Sequence, residues 1–284
     1  MTFGPLVDVD TLARHIGQPD WIVVDCRFTL TDPSAGRAAY DRGHLPGARY
    51  AHLDDDLARH PSAHEGRHPL PDAQRLAATL GRWGIDRSTT VVAYDEASGA
   101  IAARLWWLLR WLGHPRSAVL DGGFAAWAGS GRPLEQTPPS FEPSRYDLRQ
   151  PPPDAIVATR EVAERQAAGD LLVDVRAAPR YRGEQEPIDP KAGHVPGARN
   201  RPFTANVTSS GAFRPPAELR TELTELLGGR DPSRLVAMCG SGVTACHLLL
   251  ALEVAGLGGG RLYPGSWSEW IRDPARPIRT GAEP

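Results

Sequence analysis

The chain has 284 residues, enough for two hydrophobic cores, with 41% apolar residues, 23% charged residues and a net charge of -2. A balance so near neutral lacks the clustered basic excess of a nucleic-acid or membrane-surface protein, so neither partner is expected. Its three cysteines, Cys26, Cys239 and Cys246, have no regular spacing, which argues against a disulfide framework and for a reducing compartment. The first residues show no basic stretch followed by an apolar core, and no apolar run reaches membrane-span length, so a cytoplasmic location is expected.

Asp10 is placed to cap a short helix in which Leu12 and Ile16 share a face and Gly17 stops the chain. Trp21-Ile22-Val23-Val24 reads as a buried strand ending in Asp25-Cys26-Arg27. Turn residues then mark Gly43-His44-Leu45-Pro46-Gly47-Ala48-Arg49. Pro71 and Asp72 open a helix with Leu76 and Leu80 one turn apart. Thr90 to Tyr94 is a strand, Ala100 to Trp111 an apolar helix, and Ala118-Val119-Leu120 a last strand. Asp121-Gly122-Gly123 then turns the chain into Phe124-Ala125-Ala126-Trp127.

The second half runs the same programme. Thr159 is expected to cap a helix through Val162, and Leu171-Leu172-Val173 is a strand ending in Asp174-Val175-Arg176. Gly193-His194-Val195-Pro196-Gly197-Ala198-Arg199 repeats the earlier heptapeptide with one change. A helix carries Leu219, Leu223, Leu226 and Leu227, and Tyr263-Pro264-Gly265-Ser266-Trp267 echoes the Asp121 turn. Landmarks recurring in one order imply two copies of one domain, at 1–129 and 155–284. The stretch between them, 130–154, holds seven prolines and reads as an extended linker. Short buried strands alternating with helices predict an α/β fold, each copy a parallel sheet covered by helices on both faces.

Chemistry concentrates at Leu235-Val236-Ala237-Met238-Cys239-Gly240-Ser241-Gly242-Val243-Thr244, where a strand ends and a helix begins at Ala245. A cysteine there meets converging backbone N–H groups and the positive end of a helix dipole, which stabilise a thiolate. Aligning the copies sets Asp95 opposite Cys239. A carboxylate is no sulfur nucleophile, so one copy is active and its partner is not. Phosphatases and arsenate reductases with a Cys-x5-Arg loop need an arginine six residues on, where Ala245 stands. A non-catalytic sulfur-sensing module is the other alternative, and the presence of the cysteine speaks against it.

The whole plan resembles the tandem-domain rhodanese and 3-mercaptopyruvate sulfurtransferase family: two Asp-x-Arg strands, two Gly-His-x-Pro-Gly-Ala-Arg segments, the Cys-Gly-Ser-Gly-Val-Thr loop and the Gly-Ser-Trp-Ser-Glu-Trp ending. The resemblance implies ping-pong sulfur transfer through a Cys239 persulfide, from 3-mercaptopyruvate or thiosulfate to a thiol, thioredoxin or cyanide, with no metal or cofactor. It assigns Gly240, Gly242, Val243 and Thr244 to the active loop, Ser241 and Asp54 to proton movement, and His68 and Arg180 to the donor site. A planar guanidinium suits a carboxylate or thiosulfate because it donates two parallel hydrogen bonds. One departure stands out. The family's second substrate arginine is missing, since Glu184 to Lys191 offers only Lys191 as a cation, and thiosulfate stays open as the preferred donor.

Overall fold

The computed structural model describes residues 4–284 and divides into two compact units. The first comprises residues 4–59, 70–152 and 209–213; the second comprises 60–69, 153–208 and 214–284. The division is interleaved along the chain, so the short segment 60–69 packs with the second unit.

In the first unit, β1 (Leu6–Val7), β2 (Trp21–Asp25), β3 (Arg49–Tyr50), β4 (Thr90–Tyr94) and β5 (Ser117–Leu120) form a sheet in the order β1-β5-β4-β2-β3. Every pairing is parallel. Residues of β4 and β5 are buried throughout, as strands covered on both sides require. The helices are α1 (Val9–His15), α2 (Pro33–Arg42), α3 (Ala73–Arg82), α4 (Ala102–Trp111) and α5 (Gly123–Gly129). The cap of α1 is Asp8, whose carboxylate accepts from the Thr11 N–H at 2.6 Å; Asp10, expected in that role, lies in the first turn. Asp72 caps α3 as expected, accepting from Gln74 and Arg75. The core gathers Leu12, Val23, Tyr40, Val92, Leu120 and Trp127.

The second unit repeats the sheet with β6 (Leu171–Asp174), β7 (Arg199–Asn200), β8 (Leu235–Met238) and β9 (Arg261–Leu262) in the order β7-β6-β8-β9, again all parallel. A single parallel bridge between Ile156 and Leu262 stands where the first sheet has β1. The helices are α6 (Val162–Ala167), α7 (Ala178–Tyr181), α8 (Pro216–Leu227), α9 (Ala245–Val254) and α10 (Ser266–Trp270). Thr159 does not cap α6. It lies in a 3-10 turn, and its hydroxyl is drawn away to donate to the Glu269 carboxylate. Trp267, Tyr263, Val236 and Met238 lie in the core cluster of this unit. Among the described residues, no helix is long and apolar enough to cross a membrane.

The repeat holds at the level of single hydrogen bonds. Asp25 takes the Arg27 Nη2 donor at 2.6 Å, and Arg27 donates onward to the Gly43 carbonyl at 2.7 Å. Asp174, Arg176 and Gly193 reproduce both bonds at 2.6 and 2.7 Å. His44 stacks on Tyr40 with ring centroids 3.8 Å apart, and His194 stacks on Tyr181 at the same 3.8 Å. A buried pair of this kind is costly to break from one side, because it strands the other charge. These residues therefore hold the strand ends in place in both units.

Candidate active site

β8 delivers Cys239 at its carboxyl end, and α9 begins six residues later. Loop residues 239–244 lie between the two elements. Their path is fixed from behind by α10, where the Trp267 N–H donates to the Cys239 carbonyl at 3.1 Å and the Ser268 N–H to the Gly240 carbonyl at 2.8 Å. The Ser241 N–H points the other way, toward Cys239 Sγ at 3.5 Å. At Gly242, with φ of 78°, a Cβ would strike the Pro264 backbone, so only glycine permits this turn. Cys239 is 3% exposed and its thiol is free.

Ser266 anchors the cysteine backbone, a role that no local sequence pattern marks. Its Oγ accepts from the Cys239 N–H at 3.1 Å and donates to the Tyr263 carbonyl at 2.9 Å. It does so with φ of 51°, a left-handed conformation that costs a non-glycine residue of order 1 kcal/mol. Gly123, the corresponding position in the first unit, has φ of 57°.

Segment 60–69 brings two side chains to this loop. His68 Nδ1 lies 2.7 Å from Ser241 Oγ, and both residues are buried. Arg67 enters with it, its backbone N–H donating to Ser268 Oγ at 3.0 Å. A Cβ built on Gly240 would lie 2.9 Å from Arg67 Nη2, and 3.7 and 3.8 Å from the two terminal nitrogens of Arg180. Two guanidinium groups thus flank the residue next to the cysteine. Arg180 is gripped by Glu186 through Nε at 3.1 Å and Nη2 at 2.7 Å, and Asp189 joins Arg180 to Arg67. Burial opposes ionisation of Glu186, yet the Arg180 hydrogen bonds hold its carboxyl below the usual range. For Asp189, burial wins and pushes the carboxyl up, against the pull of Arg67 and Arg180.

Cys239, Ser241, His68, Arg180 and the loop residues Gly240, Gly242, Val243 and Thr244 are brought together in the second unit. Asp54 belongs to the first unit, half-buried in the turns after β3. Its neighbours serve local structure: the Asp56 carboxylate accepts from the His52 N–H at 2.9 Å, and the Asp55 carbonyl accepts from Arg75. Lys191, the only cation offered by its loop, is exposed, and its carbonyl accepts from Trp267 Nε1 at 2.9 Å. Arg67, Glu186, Asp189, Ser266 and Ser268 are the site residues that sequence reading missed. The other cysteines are not placed for chemistry: burial raises the Cys26 thiol well above its ordinary range, and Cys246 Sγ donates to the Gly242 carbonyl.

The first unit shows what the equivalent loop is built to hold. Asp95 sits at the end of β4, and its carboxylate accepts from four backbone N–H groups, those of Ala97, Gly99, Ile101 and Ala102, at 2.7 to 2.8 Å. A strand-to-helix loop of this fold is an anion cradle, and here the protein occupies it with its own carboxylate.

Two repeated parallel α/β units, one carrying a buried thiol at an anion-binding loop, define a class of sulfur-handling enzymes. The chain belongs to the family of the rhodanese-like domain, whose pattern matches residues 8–130 and 158–273. It is a sulfurtransferase. A Pseudomonas aeruginosa protein named a probable 3-mercaptopyruvate sulfurtransferase is 49% identical, covering 99% of this chain and 100% of the relative. A Mycobacterium tuberculosis relative, provisionally named the thiosulfate sulfurtransferase SseB, is 39% identical over 97% of each chain. Among solved structures, the Escherichia coli 3-mercaptopyruvate sulfotransferase SseA superposes with a TM-score of 0.76 at 30% identity, covering 94% of this chain and all of the other.

Proposed function

We propose that the protein moves one sulfur atom from 3-mercaptopyruvate to a thiol, thioredoxin or cyanide acceptor through a persulfide on Cys239. The observation that carries this is the free Cys239 thiol, faced by the Ser241 N–H, beside two guanidinium groups able to hold a donor carboxylate. The thiolate attacks the donor sulfur, the sulfur–carbon bond breaks, and the electron pair leaves on carbon as the pyruvate enolate. The proton of the donor thiol ends on that carbon, and the Ser241–His68 hydrogen bond supplies a path for it. An acceptor thiolate or cyanide then takes the outer sulfur and restores Cys239. The first unit, with Asp95 in the cysteine position, is the non-catalytic copy. All three cysteines are in the thiol form, which fits action in the cytoplasm.

Thiosulfate is the second reading, favoured by the same anion-binding guanidiniums and by the SseB relative. There the sulfur–sulfur bond of the donor breaks and sulfite leaves with the electron pair. Incubation with each donor, followed by intact-mass measurement, tests both: one added sulfur on Cys239 is expected. No added sulfur with either donor overturns the proposal.

A further inference from the structure

Glu184 to Lys191 lacks an arginine, yet a second guanidinium stands at Gly240. It belongs to Arg67, which reaches the loop from a distant part of the sequence. We propose that Arg67 is the second carboxylate-binding residue of the donor site, paired with Arg180 and positioned by Asp189. The identity of the donor's anionic group rests on the sulfur-transfer reading; the placement of Arg67 does not.

Three observations support the assignment. Arg67 is seated rather than loosely placed: the Gly66 N–H donates to Glu269 at 3.3 Å, and a Cβ on Gly66 would lie 2.6 Å from the Gly265 carbonyl and 2.9 Å from Ser268 Oγ. Segment 60–69 can approach α10 this closely only with glycine at that position. Second, one carboxylate couples the two guanidiniums, since Asp189 Oδ1 pairs with Arg67 and Oδ2 with Arg180 at 3.1 Å. The side chain of Asp189 is 2% exposed, so its orientation is fixed by packing as well as by charge. Third, Arg67 Nε is buried and has no hydrogen-bond partner among the described residues. A buried donor left unspent costs about 1–3 kcal/mol, so Arg67 keeps hydrogen-bonding capacity that its protein partners do not use. The loop from Glu184 to Lys191 therefore contributes a carboxylate that recruits Arg67, in place of a cation of its own.

The test uses two alkylating reagents of nearly the same shape. Iodoacetate carries a carboxylate one bond from its reactive carbon, and iodoacetamide is its neutral counterpart. For Arg67→Gln, the Cys239 alkylation rate with iodoacetate, divided by the rate with iodoacetamide, is expected to fall about tenfold from the unmodified protein, the loss of one charge-assisted bond. Arg67→Lys should recover part of the ratio. In turnover with 3-mercaptopyruvate, KM should rise about tenfold with kcat within about threefold. An unchanged ratio overturns the assignment, and so does an equal loss of both rates, which would mean that Arg67 only shapes the loop. If the unmodified protein turns over neither donor, the proposed function falls, while the alkylation ratio still decides the role of Arg67.

Discussion

Ser241 touches both ends of the proposed proton path: its hydroxyl lies 2.7 Å from His68 Nδ1, and its N–H faces Cys239 Sγ at 3.5 Å. The two candidate donors make different demands on this pair. With 3-mercaptopyruvate a proton must reach carbon as the sulfur leaves; with thiosulfate, sulfite leaves as an anion and no proton is needed. His68→Ala and Ser241→Ala should each lower kcat with 3-mercaptopyruvate by roughly 10²-fold, the scale of general acid–base catalysis. Thiosulfate turnover should change by less than about threefold. Equal losses on both donors would show that the pair holds the loop and moves no proton.

Asp95 makes a separate prediction in the first unit. Its carboxylate satisfies four N–H donors in the loop that leads into α4 and at the start of that helix, so Asp95→Ala strands all of them. Hydrogen bonds to a charged group contribute about 1.5–3 kcal/mol each, and water can recover some of the loss, so a cost of at least about 3 kcal/mol is expected. Chemical denaturation measures it, with Asp95→Asn as the milder comparison. A loss below about 1 kcal/mol would mean that the cradle tolerates being empty.

The two-copy plan, the strands and Cys239 were readable because their signals are local: apolar runs of four or five residues, repeated heptapeptides and glycines beside a cysteine. Arg67 was not, because what gives it a role is Asp189, 122 positions away, and no pattern within either segment records that pairing. The loop that supplies Arg180 carries no second arginine, and the second guanidinium comes from a segment far away in the sequence. Thr159 failed for a related reason. A threonine before an apolar run is a fair cap, but Glu269, 110 residues on, offers its hydroxyl a partner that sequence spacing cannot show. Asp8 and Asp10 are equally good caps by residue type, and only the geometry of the Thr11 N–H decides between them.

Ser266 ties strain to position. Its left-handed backbone would suit glycine, as at Gly123, but its hydroxyl satisfies the buried Cys239 N–H. Ser266→Ala keeps the strain and loses both hydrogen bonds, for an expected cost of about 2–3 kcal/mol. Ser266→Gly releases the strain and should cost about 1 kcal/mol less. Unfolding midpoints of the two variants give the order. A glycine variant less stable than the alanine one would show that the conformation at 266 is not strained.

His114 sets a pH limit on the first unit. Its Nε2 lies 2.9 Å from the Thr89 carbonyl, which calls for a proton on that nitrogen, and Nδ1 lies 3.1 Å from the Tyr146 hydroxyl, which can donate to it. Both contacts suit the neutral ring. Burial pushes the pKa down from 6.5 to about 4, while the Thr89 hydrogen bond opposes the shift. Between those values the unfolded chain binds a proton that the folded chain does not, so stability falls as pH drops from about 6.5 toward 4 and levels off below. At 1.36 kcal/mol per pKa unit, the full loss is about 3 kcal/mol. Urea midpoints at pH 7.5 and pH 5, compared between the unmodified protein and His114→Gln, isolate this contribution from other titrating groups. The variant should lose most of that pH sensitivity, and an equal drop in both proteins would show that His114 does not set the limit.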